Sequence, residues 1–264
     1  MKCPELYYFC PPVGVSFFRR KKGVGRLFST VVFMRYLGRL IVYLSLFAAT
    51  CSIGSVLLLR FVPVTVTPLK VIRLFENRKE YGLKVRSNWV PFDRINPQMM
   101  RAVIATEDNR FLTHRGFDWE AIDQALEENR EGKRMRGGST ISQQTAKNVF
   151  CPPSRTWLRK GVEAWQTVLI ETFWSKRRIM EVYLNIIETG PNMYGVEAPA
   201  RDIYGKTAAE LNRHEASMIA TVLPNPLRMR LSAPSDYMVR RAARVRSLMN
   251  KLGKIDFDCP EDEP

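Results

Sequence analysis

The chain has 264 residues, of which 45% are hydrophobic, enough for one medium-sized domain with an appendage and too few for two large domains. A net charge of +15 would by itself suggest nucleic-acid binding. The charge is unevenly distributed along the chain, however, since residues 1–60 hold nine Lys/Arg and one acidic residue. About half of the excess charge therefore precedes residue 61. The rest is moderately basic, which suits an anionic ligand and does not require DNA or RNA.

A long apolar segment follows the basic N-terminal region. The span Leu40 to Leu59 contains no Asp, Glu, Lys or Arg, and about 20 such residues cross the hydrocarbon core of a membrane. Seven basic residues lie between Arg19 and Arg39, whereas only Arg60 closely follows the span. The positive-inside rule therefore predicts a single-pass membrane protein with a cytoplasmic N-terminus, in which everything after Arg60 lies outside the cytoplasm.

Two alternatives to this anchor agree less well with the sequence. A buried core helix would normally show a polar face, which this span lacks. A cleaved signal peptide usually has a shorter apolar run and a small-x-small cleavage site, which is not evident here. We therefore predict a basic tail at residues 1–39 and a transmembrane helix at 40–59.

The cysteine and histidine pattern excludes common metal and disulfide frameworks. Of the five cysteines, only Cys151 and Cys259 could meet in an oxidising compartment, so one bridge between them stays open. His114 and His214 have no His or Cys companion at ligand spacing. We expect no zinc site.

Helical signals dominate the exported part of the chain. Prolines among alternating valines and threonines predict an extended juxtamembrane linker at 60–82. A mainly α domain is predicted at 83–252, and an acidic tail at 253–264. The predicted helix starts are Asn96 before Pro97, Asp118, Ser139 or Thr140, Ser154, Ser175, Asn212 with Glu215, and Ser235.

Two carboxylates flank a glycine-led helix start. Glu107 lies where a predicted helix gives way to a loop, and Glu163 lies in the helix that is predicted to start at Ser154. Between them Gly137-Gly138 precedes a helix whose free amides and positive dipole end suit an anion. A carboxylate could deprotonate a hydroxyl while cations neutralise a departing diphosphate. The cations of this stretch are Lys147, Arg155, Arg159 and Lys160.

Each of these features also has an ordinary interpretation. Glu107 could be a surface acid, the glycine-led turn a simple helix cap, and the basic run an exposed ladder of ion pairs with Glu163. The segment from Gly190 to Gly195 predicts a flexible loop that could border a polymeric substrate. The concentration of cations favours an anionic ligand, because such a cluster otherwise repels itself.

Five ordered motifs between about Met100 and Pro226 carry a family resemblance. They are Glu-Asp-x-x-Phe-x-x-His-x-Gly, Gly-Gly-Ser-Thr-Ile-x-Gln-Gln, Arg-Lys-x-x-Glu, Arg-Ile-x-Glu-x-Tyr-Leu-Asn and Gly-x-Glu-Ala. Together they resemble the bacterial peptidoglycan glycosyltransferases, glycosyltransferase family 51. The resemblance implies a lysozyme-like, mainly α domain that polymerises lipid II with inversion and releases undecaprenyl diphosphate.

The resemblance also implies roles for individual residues. Glu107 would be the base on the acceptor hydroxyl. Glu163 would assist departure of the diphosphate, with a divalent cation (Mg²⁺ or Mn²⁺) as an open possibility. Lys147, Arg155 and Lys160 would contact phosphates. The remaining substrate-binding residues would be Ser139, Thr140, Gln143, Gln144, Asn148 and Arg159.

Some features limit or modify this expectation. Pro199 stands where a small residue is usual, and Ile203-Tyr204 replaces the commoner Tyr-Phe, which questions local helix geometry. Neither Ser-x-x-Lys nor Lys-Thr-Gly occurs, so we expect no transpeptidase activity. The expected partners are lipid II, the growing strand, the membrane and cell-wall synthesis or division proteins, and not nucleic acid. The alternatives are a lysozyme-like hydrolase that uses Glu107 as acid and a non-catalytic glycolipid tether.

Overall fold

The computed structural model describes residues 22–130 and 138–257, and its chain divides into two compact units, residues 1–51 and 52–264. Helix α1, Lys22–Leu59, runs through the boundary between them. Within the described residues, one stretch, Phe33–Leu59, is long and apolar enough to cross a membrane. It contains the predicted span Leu40 to Leu59. Predictions on Gly137, Cys259 and residues 258–264 lie outside the described residues.

The second unit is mainly helical, which confirms the predicted fold class. Its short strands pair antiparallel, and two 3-10 turns lie at Phe92–Arg94 and Ala208–Glu210. The elements are α2 Pro68–Glu76, α3 Arg78–Tyr81, α4 Pro97–Glu107, α5 Trp119–Arg130, α6 Ile141–Phe150, α7 Trp157–Phe173, α8 Lys176–Ile186, β1 Glu188–Gly190, β2 Met193–Tyr194, α9 Glu197–Tyr204, α10 Arg213–Val222 and α11 Asp236–Lys251.

Capping side chains set most of the helix starts at the predicted positions. Asn96 accepts a hydrogen bond from the Gln98 amide at 2.9 Å, so α4 begins with Pro97 in its first turn. Ser175 and Asn212 cap α8 and α10 as predicted. Helix α7 differs, because Thr156 rather than Ser154 provides the cap.

The core lies between α4, α6, α8 and α10. Their inward faces carry residues that are fully buried, because apolar side chains recur there every three or four positions. Helix α10 packs against α4 and α11, and α6 packs against α7 and α8. This arrangement places the end of α4 beside the start of α6. Fully buried members of this core include Met99, Val103, Ile141, Ile179, Tyr183, Leu184 and Ile219.

Two segments differ from the sequence-based expectation. The extended conformation expected for the linker at 60–82 was wrong for part of its length, because α2 and α3 form there. Thr67 caps α2 and Pro68 begins it. The flexible loop expected from Gly190 to Gly195 is instead a buried hairpin of β1 and β2. Pairing of their backbone groups explains why this segment is ordered.

Helix α9 forms despite Pro199. The proline occupies the first turn, where backbone N–H groups have no partner within the helix, so no helical hydrogen bond is lost. The doubt about local geometry at this position is therefore resolved in favour of a regular helix. Gly205 ends α9 with a φ of 64°, a conformation that glycine adopts easily.

Candidate active site

Glu107 is the last residue of α4, where the helix gives way to a loop as predicted. Its Oε2 accepts a hydrogen bond from Nε2 of Gln144 on α6 at 3.1 Å. Tyr183, fully buried on α8, donates in turn to Oε1 of Gln144 at 3.3 Å. Three helices therefore hold this carboxylate, which is the arrangement of a positioned group and not of a freely moving surface acid.

The surroundings raise the pKa of Glu107. Burial is the largest cause, and the neighbouring Asp108 carboxylate adds to it. The hydrogen bond from Gln144 and the positive charges of Arg241 and Lys147 act in the opposite direction. A carboxyl whose pKa is raised toward neutrality is suited to exchange protons with a substrate.

Asp108 and His114 fasten the loop that follows Glu107. Both Asp108 oxygens lie within 3.0 Å of Nε2 of His114, and Oδ2 also accepts from the Ile141 amide at 2.9 Å. Thr140 donates to the Gly116 carbonyl at 2.7 Å. These buried bonds tie the loop to the start of α6, so the position of Glu107 depends on α6 as well as on α4.

A cavity of about 290 Å³ lies on one side of Glu107. Its walls come from the end of α4, from α5, from the turn before α6 and, through Leu248, from α11. The predicted residues Ser139 and Thr140 both line it, and so does Asp118. This cavity is mainly polar and carries carboxylates, which suits a neutral hydroxylated ligand better than an anion.

A second cavity, of about 460 Å³, contains most of the predicted cations. Lys147, Arg155 and Arg159 line it, together with Gln144 and Asn148. The side chains of Arg155 and Lys147 make no hydrogen bond or close ion pair with the described residues. Their cationic heads are therefore available to an anion entering the cavity.

Gln144 stands between the two cavities. It lines the cationic cavity, yet its side-chain amide is bonded to Glu107, which lines the other one. Glu107 itself does not line the cationic cavity, but Lys147 is close enough to lower the pKa of Glu107. Gln144 thus contacts the carboxylate with its side chain and lines the cavity that holds the cations.

Glu163 is buried beside the cationic cavity, with 3% of its side chain exposed. Arg159 donates to its Oε2, and Nζ of Lys160 lies 2.5 Å from its Oε1. The ordinary interpretation of an exposed ladder of ion pairs therefore does not hold for Glu163. Instead, the carboxylate orients Arg159 at the cavity wall, while Lys160 is directed toward Glu163.

The electrostatics of this region favour a bound anion. Loss of hydration lowers the pKa of Lys147, and the positive charges of Arg159 and Lys160 lower it further, opposed by Glu163. Like charges held together in this way are destabilising unless an anion neutralises them. An anionic ligand would supply the charge that the cluster lacks.

Two of the predicted binding residues have structural roles. Thr140 and Gln143 form a capping box: the Gln143 amide N–H donates to Oγ1 of Thr140 at 3.2 Å, and Oε1 of Gln143 accepts from the Thr140 amide at 3.0 Å. Gln143 is buried and lines neither cavity. It positions the start of α6, whereas Gln144, one residue on, reaches Glu107.

Arg241 is a site residue that the sequence analysis missed. It lies on α11, more than 130 positions after Glu107, and its charge acts on that carboxyl. Its buried Nε has no hydrogen-bond partner among the described residues. Nothing in a basic terminal helix distinguishes this arginine from Arg240 or Arg244, so only packing of α11 beside α4 identifies it.

Among the described residues, no cluster of metal ligands is present. These residues contain no group of three His, Cys, Asp or Glu side chains that could hold a divalent metal. Glu188 lines the cationic cavity, and Glu163 lies beside that cavity with both carboxylate oxygens already paired with Arg159 and Lys160. Binding a cation there would require breaking these ion pairs, so no chemical step is assigned to a metal.

Comparisons with known proteins agree on one family. The family model described as Transglycosylase matches residues 76–250. A biosynthetic peptidoglycan transglycosylase of Bdellovibrio bacteriovorus is 48% identical over 226 residues, covering 80% of this chain and 90% of that protein. The protein of the same name from Caulobacter vibrioides is 49% identical, covering 80% of this chain and 90% of that protein. The one from Shewanella oneidensis is 45% identical, covering 89% of this chain and 96% of that protein.

Proposed function

Because this chain belongs to the transglycosylase family and is a glycosyltransferase, we propose that it polymerises lipid II into peptidoglycan strands and releases undecaprenyl diphosphate. The family fold is lysozyme-like. The observation that carries the proposal is the position of Gln144, which holds Glu107 on one side and lines the cationic cavity on the other. An acceptor hydroxyl and a diphosphate would therefore meet at this residue.

In the proposed reaction, Glu107 removes the proton from the acceptor sugar hydroxyl. The hydroxyl oxygen attacks the anomeric carbon of the donor, a new glycosidic bond forms, and the bond from that carbon to the diphosphate oxygen breaks. The electron pair leaves with the diphosphate, and Glu107 keeps the proton. A positioned general base of this kind contributes roughly 10² to 10⁴ in rate.

The cations act on the leaving group. Lys147 and Arg155 would bind the diphosphate directly, because both face the cavity without protein partners among the described residues. Glu163 would act through Arg159, which it orients at the wall. Positive charge that is already in place stabilises the negative charge as it develops, without reorganisation during the reaction.

We also propose that the chain is anchored by α1 in the inner membrane, with its catalytic domain in the periplasm. The apolar stretch Phe33–Leu59 and the basic residues before Leu40 support this orientation. Within the second unit, Trp165 donates to Ser52 on the last turns of α1 at 3.0 Å. At the start of the same helix α7, Trp157 is 92% exposed. Exposed aromatic residues on a helix that contacts the end of an apolar helix are typical of a membrane-water interface.

The direct test is incubation of the purified full-length protein with lipid II. We expect glycan strands to form and Glu107→Gln to nearly abolish them, with the products remaining uncross-linked. A matched control is Glu127→Gln, on the exposed face of α5, which should retain activity. An inactive wild-type protein under these conditions would contradict the proposal.

Two other functions predict different results. A hydrolase would release soluble fragments from isolated cell-wall sacculi, but a neutral leaving group would give Lys147 and Arg155 nothing to neutralise. A non-catalytic tether would bind lipid II without turnover in detergent and in bilayers. The cationic cavity beside a positioned Glu107 favours the polymerase over both.

A further inference from the structure

An arginine and a glutamate lie within the cationic cavity but outside the cation cluster. Arg73 of α2 and Glu188 of β1 both line the cavity. Nε of Arg73 and Oε1 of Glu188 are 3.7 Å apart, which is too long for a hydrogen bond. Nη1 of Arg73 instead donates to Glu76 at 2.8 Å. The pair is close enough for charge attraction but is not joined directly.

Three buried polar atoms around this pair have no hydrogen-bond partner among the described residues. They are Nε of Arg73, Oε1 of Glu188 and the hydroxyl of Tyr194. Buried polar atoms are nearly always bonded, because leaving one unbonded costs about 1–3 kcal/mol. Burial also raises the pKa of the Glu188 carboxyl. The group therefore has hydrogen-bonding capacity that the surrounding protein does not use.

A purely structural role for the pair would require closer contacts. Another ion pair with a buried carboxylate is direct, since Nζ of Lys206 and Oε1 of Glu215 are 2.6 Å apart. The Arg73–Glu188 separation is longer by more than 1 Å, although both side chains are more buried than an ordinary surface pair. An open, partly buried polar pair that lines a cavity is typical of a binding site.

The cavity thus combines two kinds of binding group. Lys147, Arg155 and Arg159 offer positive charge, while Arg73 and Glu188 offer both a donor and an acceptor. A ligand that fills it needs an anionic part joined to a neutral, hydrogen-bonding part. Arg73 precedes residue 76, where the match to the family model begins, so the pair joins a residue outside the matched segment to one inside it.

We propose that Arg73 and Glu188 bind the sugar attached to the diphosphate. Glu188 accepts a hydrogen bond from a hydroxyl or amide N–H of that sugar, and Arg73 donates to one of its oxygens. The cations hold the diphosphate, and the pair fixes the orientation of the sugar beside it. This inference rests on the proposed function and deepens it, because it assigns the residues that distinguish a sugar diphosphate from a diphosphate alone.

Binding without turnover provides the test. The full-length protein carrying Glu107→Gln is titrated with a soluble disaccharide diphosphate that lacks the lipid, and separately with inorganic pyrophosphate. Adding Glu188→Ala should weaken binding of the sugar ligand roughly tenfold, the loss expected for one hydrogen bond to a charged group. It should not weaken pyrophosphate binding, because it removes a negative charge from an anion site. Lys147→Ala should weaken both. Arg73→Gln should weaken binding of the sugar ligand more than binding of pyrophosphate.

Two controls and two outcomes make the test decisive. Asp202→Ala removes the partner of Arg86 in an exposed ion pair and should affect neither ligand. Glu188→Gln retains a side-chain acceptor, so it should lose less than Glu188→Ala, and it replaces the alanine variant if that protein does not fold. Equal loss for both ligands, or no loss for either, would overturn the inference. Failure of the proposed function appears separately, as a wild-type protein that does not polymerise lipid II.

Discussion

Glu107 and Gln144 are joined by a 3.1 Å hydrogen bond between the end of α4 and the second turn of α6. The amide of Gln144 stabilises the ionised form of the carboxyl, whereas burial raises its pKa. These two effects oppose each other at the one group that must lose and regain a proton during each cycle. The pH dependence of the reaction should therefore report the environment of Glu107.

We predict an acid limb in the pH profile of kcat/KM. Glu107 acts as a base only when it is ionised, so activity should be lost as the pH falls through its pKa. Since that pKa is raised above its ordinary value of 4.5, the limb should lie above pH 4.5. Measurement of lipid II polymerisation across pH, with protein stability checked at each value, tests this. A limb at or below the ordinary value would contradict it.

Replacing Arg241 by Gln should move this limb to higher pH. The positive charge of Arg241 favours the ionised form of Glu107 and so lowers its pKa; removing that charge raises the pKa further. The matched control is Arg240→Gln, on the same helix but exposed, which should leave the limb in place. An unchanged limb in the Arg241 variant, or a shift toward acid, would show that the two groups are not coupled.

Arg155 and Arg159 should have different effects when replaced by Gln. Arg155 is exposed and has no hydrogen bond to the described residues, so its loss should reduce kcat/KM about tenfold or more with little change in the free energy of unfolding. Arg159 is bonded to buried Glu163, so its loss should also reduce the free energy of unfolding, by about 1–3 kcal/mol. Thermal unfolding in detergent, together with the polymerisation assay, separates the two. Equal stability of both variants would argue against the structural role of Arg159.

Two glycine substitutions should change stability in opposite directions. Gly116 has a φ of 87°, and an added Cβ would lie 2.9 Å from Cγ2 of Thr167. Gly116→Ala should therefore destabilise the protein by roughly 1–3 kcal/mol. Gly161 lies in α7 with open space around it, and Gly161→Ala should stabilise that helix by roughly 0.5–1 kcal/mol. Comparison of their unfolding transitions tests both, and destabilisation by Gly161→Ala would contradict this account of α7.

Local signals in the sequence were sufficient for much of the fold. Asn96, Ser175 and Asn212 cap helices as predicted, because a cap depends on side-chain and backbone groups only two or three residues apart. Because local signals ignore contacts between distant residues, two sequence-based predictions were wrong. Alternating valines and prolines hid the start of α2 at Pro68, and glycines near Gly190 suggested mobility where pairing of β1 and β2 gives order.

The sequence by itself determined the helical class, the apolar span and the motif residues that identify the family, because each is encoded in neighbouring or regularly spaced residues. Only the tertiary structure decided that Gln144 lies between two cavities, that Glu163 is buried between two cations, and that Arg241 and Arg73 approach the site. These relationships join residues far apart in the chain. They arise from how helices pack, and packing depends on the whole core rather than on any local pattern.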